Sequence, residues 1–402
     1  MQNLIYISLS FITALCISLY AVPIVIRVAH SLKLLDNPNE RSAAHCPIPT
    51  LGGISIFLSF IFTSTVATSA YELPQLVYII AAVTLMFFVG LKDDILMLSP
   101  WKKLTAQIIS AAFIIFLAKI QFTNLHGFLG IGEIGTVPGI ILTFFSIIVI
   151  INAFNLMDGI DGLAAGLSML AAAVFGSWFF ISGHFEYAII SFSLLGAIAG
   201  FFYYNVYGKE NKIFMGDTGS LVLGTIMSVI VIQFNEFNID LTQPFTLASA
   251  PAVSFAILIY PLADTLRVFT IRALQFKSPF IADKNHLHHR LLTLGYSHKR
   301  ATYTIIAMNI LFIIPIIALH RLGVLRLMGF ITIFGSILFM IPAYFIQKRN
   351  LIKKNDPHQQ ILIPGYTYQL FKNKRYEYKI SQRRARTGGL KLRAFLQKLN
   401  IW

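Results

Sequence analysis

Long apolar runs separated by short polar segments are the main pattern of this sequence. Each run is about 18 residues or longer, which is enough for an α-helix to cross the hydrocarbon core of a bilayer. Eleven membrane-spanning helices are predicted, at residues 3–26, 50–70, 75–91, 103–120, 137–154, 162–182, 186–204, 219–235, 247–266, 303–319 and 325–346. The pattern therefore predicts an all-α polytopic membrane protein.

The positions of Lys and Arg predict how these helices are oriented. An odd number of spans puts the two ends of the chain on opposite sides of the membrane. Of the 32 Lys and Arg, only Lys119, Arg321 and Arg326 then lie on the N-terminal side. Because cytoplasmic loops carry the excess of Lys and Arg in membrane proteins, the C-terminal side is predicted to be cytoplasmic.

The predicted cytoplasmic side also carries a group of aspartates. Solubility alone would spread acidic residues over both faces, whereas these gather in or beside the loops of one face. The group consists of Asp93, Asp94, Asp158, Asp161, Asp217, Asp264 and Asp283. We therefore predict an active-site cleft that opens to the cytoplasm.

Composition supports this interpretation and adds an uneven distribution of charge. Of the 402 residues, 56% are hydrophobic and 12% charged, where a soluble protein carries about 25% charged residues. Cys16 and Cys46 offer no credible disulfide. Residues 347–402 hold 14 basic and 2 acidic residues, which is +12 of the net charge of +15. We predict a transmembrane catalytic domain over 1–346 and a basic cytoplasmic tail over 347–402.

The end of this tail has the pattern of an amphipathic helix. Leu392, Phe395, Leu396 and Leu399 recur at helical spacing, with Lys and Arg between them. Such a helix is typical of an interfacial segment bound to anionic lipid. A solvated tail without regular structure is the alternative. A nucleic-acid partner is not expected, because no recognition fold accompanies the charge.

Two loops near the start of the chain contain candidate site residues. The first, DNPNERSAAHCPIPTLGG, contains Arg41 and His45 and ends in glycines that predict tight packing at the start of a helix. The second, GLKDDILMLSPWKK, contains Asp93 and Asp94, whose like charges repel unless a cation or a shared proton offsets them. Helix capping explains one of this pair but explains both poorly. Lys102 in the same loop is a further candidate for substrate binding.

The segment NAFNLMDGIDGLAAG places four polar residues between two apolar spans. Asn152, Asn155, Asp158 and Asp161 follow at intervals of three, which in an ideal α-helix spreads them over about half of the circumference. The glycines among them predict instead that the helix stops and restarts. Irregular backbone and carboxylates at a membrane boundary are tolerated where they line a polar cavity. Helix capping is the alternative, but a cap needs one such residue rather than four.

Two later loops add an aspartate and a cluster of histidines. In FMGDTGS, Asp217 lies directly before an apolar helix, where it would repel a bare phosphate but would bind a magnesium ion that carries one. In NHLHHRL, His286, His288 and His289 have no thiolate or fourth ligand at a usual zinc spacing, and we interpret them as a clamp for phosphate oxygens. A simple N-cap and a surface cluster without function are the alternatives.

Together these residues predict transfer between phosphates. Carboxylates with magnesium, faced by basic residues, provide the positioning and charge neutralisation that this reaction needs. No Walker-type glycine loop is present, so hydrolysis of a nucleotide for energy is not expected. The alternatives from other classes are a scaffold or lipid-binding protein and a transporter, although a transporter would carry its ionisable residues near mid-membrane.

Four motifs, in order along the chain, resemble those of the polyprenyl-phosphate N-acetylhexosamine-1-phosphate transferases: GLKDD, NAFNLMDGIDGLAAG, FMGDTGS and NHLHHRL. The resemblance covers about residues 1–346. It implies a multi-pass enzyme of the bacterial inner membrane that moves a sugar-1-phosphate from a UDP-sugar to undecaprenyl phosphate and releases UMP. The interrupted HLHH is similar to the branch that uses UDP-N-acetylglucosamine. A short outer hairpin within residues 119–137 is also implied.

The resemblance also implies a role for each candidate residue. Asp217 is the expected Mg²⁺ ligand, with Mn²⁺ as a substitute, and Asp93, beside Asp94, is expected to deprotonate or orient the lipid phosphate. Asp158 and Asp161 complete the catalytic set and support the metal. The expected substrate-binding residues are Asn155, His286, His288, His289, Arg41, His45 and Lys102.

Four points stay open at this stage. The donor is alternatively another UDP-N-acetylhexosamine or the UDP-linked muramyl pentapeptide. The oligomeric state is open, with a homodimer as one alternative. Asp264 and Arg267 either belong to the site or form a structural ion pair. Transfer in one step is favoured over a covalent aspartyl intermediate, because the lipid phosphate is already close to a dianion near neutral pH.

Overall fold

The computed structural model describes residues 2–36, 48–71, 73–274 and 287–355. Three of the predicted site residues, Arg41, His45 and His286, lie outside these ranges, as does the amphipathic segment predicted for the tail. Contacts divide the chain into two units, Met1–Met340 and Ile341–Trp402, and all packing discussed below belongs to the first. The domain boundary predicted at residue 346 stays a prediction.

Helices account for most of the described residues. They are Gln2–Ser31 (α1), Gly52–Ala67 (α2), Leu76–Leu96 (α3), Pro100–Ala112 (α4), Thr136–Met157 (α5), Leu163–Ile181 (α6), Phe185–Phe202 (α7), Gly216–Phe237 (α8), Ala250–Ile257 (α9), Ile259–Leu274 (α10), Leu287–Thr293 (α11), His298–Ala318 (α12) and Val324–Asn355 (α13). Short 3₁₀ or π turns follow four of them, at Thr68–Ala70, Phe113–Leu117, Tyr203–Tyr207 and His320–Leu322.

Two small antiparallel strand pairs complete the described secondary structure. Leu35–Asp36 (β1) pairs with Ile48–Pro49 (β2), and Asn124–Phe128 (β3) pairs with Ile131–Glu133 (β4). The second pair confirms the hairpin expected within residues 119–137.

Within the described residues, nine helices are long and apolar enough to cross a membrane. The protein is thus a polytopic all-α membrane protein. The two remaining predicted spans have a different form. The span predicted at 103–120 is α4 continued by the turn Phe113–Leu117, and the span predicted at 247–266 is divided into α9 and α10. The number of segments that cross the membrane therefore stays a prediction.

The break between α9 and α10 follows from a proline. The carbonyl oxygen of Ile257 would accept the N–H of residue 261 in a continuous helix, but Pro261 has no N–H. Asn309 Nδ2 of α12 donates to this oxygen instead, at 3.0 Å. A backbone carbonyl inside an apolar bundle needs such a partner, so Asn309 makes the break tolerable.

Helix α8 lies at the centre of the bundle. It packs against α2, α3, α5 and α6. Within its apolar stretch of 18 residues, 89% of the residues are buried. Small residues allow this close packing, since a Cβ added at Gly224 would lie only 2.6 Å from Ile151 Cα of α5. Because α8 begins at Gly216, its central position places Asp217 at the middle of one end of the bundle.

The hairpin β3–β4 contacts the other end of α8. Glu236 Oε1 accepts the N–H of Thr123 at 2.9 Å, and Glu236 Oε2 accepts the Thr123 hydroxyl at 2.6 Å. Glu236 and Asp217 lie at opposite ends of the same helix. The hairpin is therefore at the far side of the bundle from Asp217.

Candidate active site

A lysine joins two carboxylates at the first turn of α8. Lys103 Nζ lies 2.5 Å from Asp93 Oδ2 and 3.0 Å from Asp217 Oδ2. Asp93 Oδ1 accepts the N–H of Leu98 at 2.5 Å, so the connection between α3 and α4 holds this side chain in place. Asp93 is buried, whereas Asp217 and Lys103 are partly exposed. The cluster is thus accessible from the side of Asp217.

Asp94 caps the start of α8. Asp94 Oδ1 accepts the N–H of Asp217 at 2.7 Å, and Asp94 Oδ2 accepts the N–H and the hydroxyl of Thr218 at 3.0 and 2.5 Å. The first N–H groups of a helix have no partner within it, and here a carboxylate from a neighbouring helix satisfies two of them. The adjacent aspartates of GLKDD therefore have separate contacts. Asp93 contacts Lys103, and Asp94 fixes the backbone that carries Asp217.

Glycines bring α2 and α3 to the same point. The N–H of Gly53 donates to the carbonyl oxygen of Met215 at 3.0 Å. A Cβ on Gly53 would lie 2.1 Å from Gly219 N, and a Cβ on Gly90 would lie 2.5 Å from Thr218 Cα. These distances confirm the tight packing predicted for the PTLGG segment. The start of α8 is therefore enclosed by backbone from two neighbouring helices.

The interruption predicted in NAFNLMDGIDGLAAG is confirmed. Helix α5 ends at Met157 and α6 begins at Leu163; we call the residues between them the 158–162 turn. Gly162 has φ +75°, which favours glycine, and its N–H donates to Asn205 Oδ1 at 2.6 Å. The turn is therefore held to the segment that follows α7.

The two aspartates of this turn have opposite electrostatic environments. Burial, followed by the negative charges of Asp217, Asp94 and Asp161, raises the pKa of Asp158 to about 7. Burial also acts on Asp161, but its contacts with His298 and Lys212 outweigh it and hold the pKa of Asp161 below its usual value. Asp161 is thus a paired carboxylate, whereas Asp158 lies among like charges.

Asn155, in the last turn of α5, contacts Asp217. Its Nδ2 donates to Asp217 Oδ1 and also to Ser220 Oγ, the latter at 2.9 Å. Asp217 therefore has Lys103 at one carboxylate oxygen and an amide at the other. Asn152 Nδ2, by contrast, donates to the side-chain oxygen of Gln107 on α4 at 2.8 Å and so packs two helices together.

His288 of α11 contacts the 158–162 turn. The Tyr260 hydroxyl lies 3.1 Å from His288 Nδ1, and a Cβ on Gly159 would lie 2.6 Å from His288 Nε2. His288 is buried, and the centroid of its ring is 4.3 Å from that of His289. The structure therefore brings the described part of NHLHHRL to the turn.

Asp264 and Arg267 form the ion pair that the sequence left open. Arg267 Nη2 lies 2.9 Å from Asp264 Oδ1, which also accepts the N–H of Leu287 at 3.3 Å. Asp264 thereby joins α10 to the start of α11. Its observed contacts position the histidine segment.

The cluster contains Lys103, which was not predicted from the sequence, and not its neighbour Lys102, the predicted substrate-binding residue. The Lys102 side chain is exposed, and Lys103 lies in the cluster. Successive residues of an α-helix point about 100° apart, so only one of two adjacent lysines faces the bundle. Both follow the same Pro-Trp start of α4, and the local sequence does not distinguish them.

Replacing Lys103 by Gln is expected to reduce turnover by about 100-fold or more. The substitution leaves Asp93 and Asp217 facing each other without the cation that separates them. Lys102→Gln is the matched control and is expected to leave turnover nearly unchanged, because Lys102 is exposed. Steady-state release of the nucleotide product from both purified variants measures the difference. Equal losses of turnover in the two variants would contradict the assignment of Lys103, and not Lys102, to the site.

An apolar cavity of about 340 Å³ lies within the bundle. Its lining includes Leu142 and Ile150 of α5, Leu262 of α10, Met328 of α13 and Phe128 of β3. Helix α5 ends at the 158–162 turn, and α10 carries Asp264. The cavity is therefore bounded by helices that also hold the polar site.

The residues around Asp217 fit a divalent cation that arrives with a phosphate. Within the described residues, no group of three or more His, Cys, Asp or Glu side chains forms a complete metal cage. Magnesium, however, is commonly held by one or two carboxylates together with substrate phosphates. Burial, followed by the negative charges of Asp217, Asp94 and Asp161, raises the pKa of Asp158 to about 7, and a cation bound beside these carboxylates would offset that repulsion. Asp217 and Asp158 therefore fit Mg²⁺ better than zinc, which prefers nitrogen and sulfur ligands.

Comparison with known proteins shows which family the chain resembles. Residues 76–235 match the family described as glycosyl transferase family 4. The undecaprenyl-phosphate alpha-N-acetylglucosaminyl 1-phosphate transferase of Escherichia coli K12 is 29% identical over 303 residues, which cover 75% of this chain and 80% of the relative. The protein of that name from Salmonella typhi is 31% identical over 278 residues, 68% of this chain and 73% of the relative. A probable undecaprenyl-phosphate N-acetylglucosaminyl 1-phosphate transferase of Bacillus subtilis is 32% identical over 341 residues, which cover 84% of this chain and 91% of the relative.

The family match and the names of these relatives show that this polytopic helical membrane protein is a sugar-phosphate transferase. The chain belongs to glycosyl transferase family 4. The resemblance inferred from the four motifs is thereby confirmed.

Proposed function

We propose that this protein transfers N-acetylglucosamine-1-phosphate from UDP-N-acetylglucosamine to undecaprenyl phosphate and releases UMP. The names of the relatives from Escherichia coli, Salmonella and Bacillus support the acceptor and the transferred group. The observation that carries the proposal is the contact of Lys103 with both Asp93 and Asp217, beside Asn155. The lipid-linked product would start a cell-envelope glycan.

In the proposed reaction, an oxygen of the lipid phosphate attacks the β-phosphorus of the donor. The new P–O bond forms as the bond to the bridging oxygen of UMP breaks, and UMP leaves with that electron pair. A phosphate monoester with a second pKa of about 6 is mostly a dianion at neutral pH, so no base has to activate it. The reaction therefore depends chiefly on positioning.

Asp93 and Lys103 are proposed to receive the lipid phosphate. The ammonium of Lys103 attracts the dianion, and Asp93 holds that ammonium at 2.5 Å. A covalent intermediate on Asp93 would require one of its oxygens to leave its partner, which is Lys103 at Oδ2 and the N–H of Leu98 at Oδ1. These contacts support transfer in one step, with Asp93 as an orienting group.

Asp217 is proposed to bind Mg²⁺, with Mn²⁺ as a substitute, together with the donor diphosphate. Dependence on a metal is general in this family. When bound, the ion neutralises charge on the transferring phosphate. Asn155, Asp158 and His288 are proposed to bind the donor, because Asn155 contacts the Asp217 oxygen that Lys103 does not. His288 then lies where charge develops on the departing UMP.

The apolar cavity is proposed to hold part of the isoprenoid chain. A chain of this kind has no polar atoms beyond its phosphate and gains free energy by leaving contact with water. The cavity is lined mainly by Leu, Ile, Val, Phe and Met side chains of α5, α8, α10 and α13. Its volume of about 340 Å³ accommodates only part of a long chain, whose remainder would lie in the bilayer.

A panel of donors tests the proposed function. Purified protein is given undecaprenyl phosphate, Mg²⁺ and one UDP-sugar at a time, and the lipid product is identified by mass spectrometry. We expect a lipid diphosphate carrying N-acetylglucosamine and an equal amount of UMP. If product forms only with another UDP-N-acetylhexosamine, or only with the muramyl-pentapeptide donor, the proposed donor is wrong and that compound is the donor. Absence of UMP with every donor would reject the transferase.

The same assay tests the proposed cytoplasmic location of the active site. UDP-sugars do not cross a bilayer, so vesicles of inverted orientation should form product at once. Right-side-out vesicles should form product only after a detergent opens them. Equal rates in both preparations of sealed vesicles would contradict the orientation that the Lys and Arg positions predict.

A further inference from the structure

The start of α12 holds the 158–162 turn at two positions. Thr302 Oγ1 donates to the carbonyl oxygen of Asp161 at 2.8 Å, and His298 Nδ1 lies 3.2 Å from Asp161 Oδ2. Lys212 Nζ lies 2.6 Å from the same Oδ2. Asp161, predicted as catalytic, thus has its side chain and its backbone oxygen engaged by residues far away in the sequence.

A third contact fixes the last residue of the turn. The N–H of Gly162 donates to Asn205 Oδ1 at 2.6 Å, and Asn205 Nδ2 donates to the carbonyl oxygen of Ile213 at 2.8 Å. Ile213 follows Lys212 directly. The segment before α8 and the start of α12 therefore hold the turn from two sides.

Helix α12 is itself held firmly at this point. A Cβ added at Gly166, in the first turn of α6, would lie 2.5 Å from Ile306 Cδ1, so α12 packs closely on α6. Lys299 Nζ lies 4.6 Å from the centre of the Tyr207 ring, a cation–π distance. Thr302 is buried and His298 is partly buried. Because α12 is fixed at this point, Thr302 and His298 can hold the 158–162 turn in a fixed position.

We propose that Thr302 and His298 are positioning residues for the nucleoside diphosphate donor. They act through Asp161, which they hold in place, so that Asp158 and the Gly159–His288 contact keep a fixed geometry. The inference rests on the proposed function, since it assigns the donor to the side of Asp217 that faces Asn155. Neither residue contacts the cluster of Lys103 and Asp93, so the lipid phosphate should be unaffected.

The test compares two threonines on the same helix. Thr302→Val removes the hydroxyl that donates to Asp161, whereas Thr304→Val removes an exposed hydroxyl that donates only to Arg300 within α12, at 2.8 Å. We expect Thr302→Val to raise the KM for UDP-N-acetylglucosamine about three- to tenfold, because the loss of one hydrogen bond has an effect of this size. The KM for undecaprenyl phosphate should stay unchanged. Thr304→Val should match the unsubstituted protein in both.

Two further variants keep the test decisive. Thr302→Ser retains the donor hydroxyl and should restore the donor KM even if the valine variant folds poorly. His298→Phe removes the ring nitrogen that lies 3.2 Å from Asp161 Oδ2 and should also raise the donor KM. Titration of each variant with UMP, followed calorimetrically, should show weaker binding in the order of the KM values.

The possible results separate this inference from the proposed function. Equal rises in both KM values, or an unchanged donor KM in Thr302→Val and His298→Phe, would overturn the positioning role while leaving the transferase intact. Failure of Thr302→Ser to restore the donor KM would overturn it as well. If the unsubstituted protein releases no UMP from any donor, the proposed function itself fails.

Discussion

Replacing Asp217 by Asn is expected to reduce transfer by about 100-fold or more. Asp217 is the carboxylate that contacts Lys103 at one oxygen and Asn155 at the other. The neutral amide keeps the shape of the side chain but loses the charge needed to hold Mg²⁺ and to pair with Lys103. The fold should survive, because Asp94 caps α8 through the backbone N–H of residue 217, which the substitution retains.

Turnover measured over a range of Mg²⁺ concentrations checks this prediction. Asp240→Asn is a suitable control, because Asp240 follows the other end of α8, where among the described residues its carboxylate accepts hydrogen bonds from Thr242 and Gln243. We expect the Asp240 variant to behave like the unsubstituted protein. Normal turnover of Asp217→Asn at low Mg²⁺ would show that the metal binds elsewhere.

Replacing Gly53 by Ala is expected to remove activity by a different route. The added Cβ would lie 2.1 Å from Gly219 N, and a backbone atom cannot give way as a flexible side chain can. Either α2 or the start of α8 must therefore move. A shift of α8 would displace Asp217 and the N–H groups that Asp94 caps. We expect the free energy of unfolding to fall by about 1–3 kcal/mol or more.

Gly329→Ala is the matched control for this substitution. Gly329 lies in α13, and a Cβ there would have no atom within 4 Å. Alanine favours a helix over glycine, so this variant should be as stable as the unsubstituted protein or slightly more stable. Thermal unfolding in detergent and UMP release, measured on both variants, decide the outcome. An unchanged melting temperature with full activity in Gly53→Ala would contradict the packing described here.

Much of the site could be predicted because its residues lie in short motifs at the ends of apolar runs. Charged and amide side chains are costly at a membrane boundary, so Asn155, Asp158 and Asp217 stand out from their surroundings. The structure brings these three together with Asp93 and His288. The glycines of PTLGG were also interpretable, since two of them directly before a helix predict close approach of backbone.

Other parts of the site gave no signal in the sequence. Lys102 and Lys103 are chemically identical neighbours, and only the rotation of α4 about its axis selects Lys103. Asp94 was predicted as a catalytic residue, and its contacts as a cap of α8 depend on the packing of α3 against α8, which the local sequence does not show. Thr302 lies in an ordinary apolar helix, and its bond to Asp161 joins positions 141 residues apart.

The sequence alone is enough to predict where most of the long helices run, where NAFNLMDGIDGLAAG interrupts them and which residue types carry the chemistry. The reason is local, since inside a bilayer each spanning segment must satisfy its own backbone hydrogen bonds and must be apolar along its length. The packing of the folded chain, in contrast, sets which oxygen of Asp217 contacts Lys103, which aspartate caps α8 and which distant helix holds the 158–162 turn. Those contacts depend on how each helix is rotated and packed. Rotation and packing are determined jointly by many side chains that are distant in the sequence.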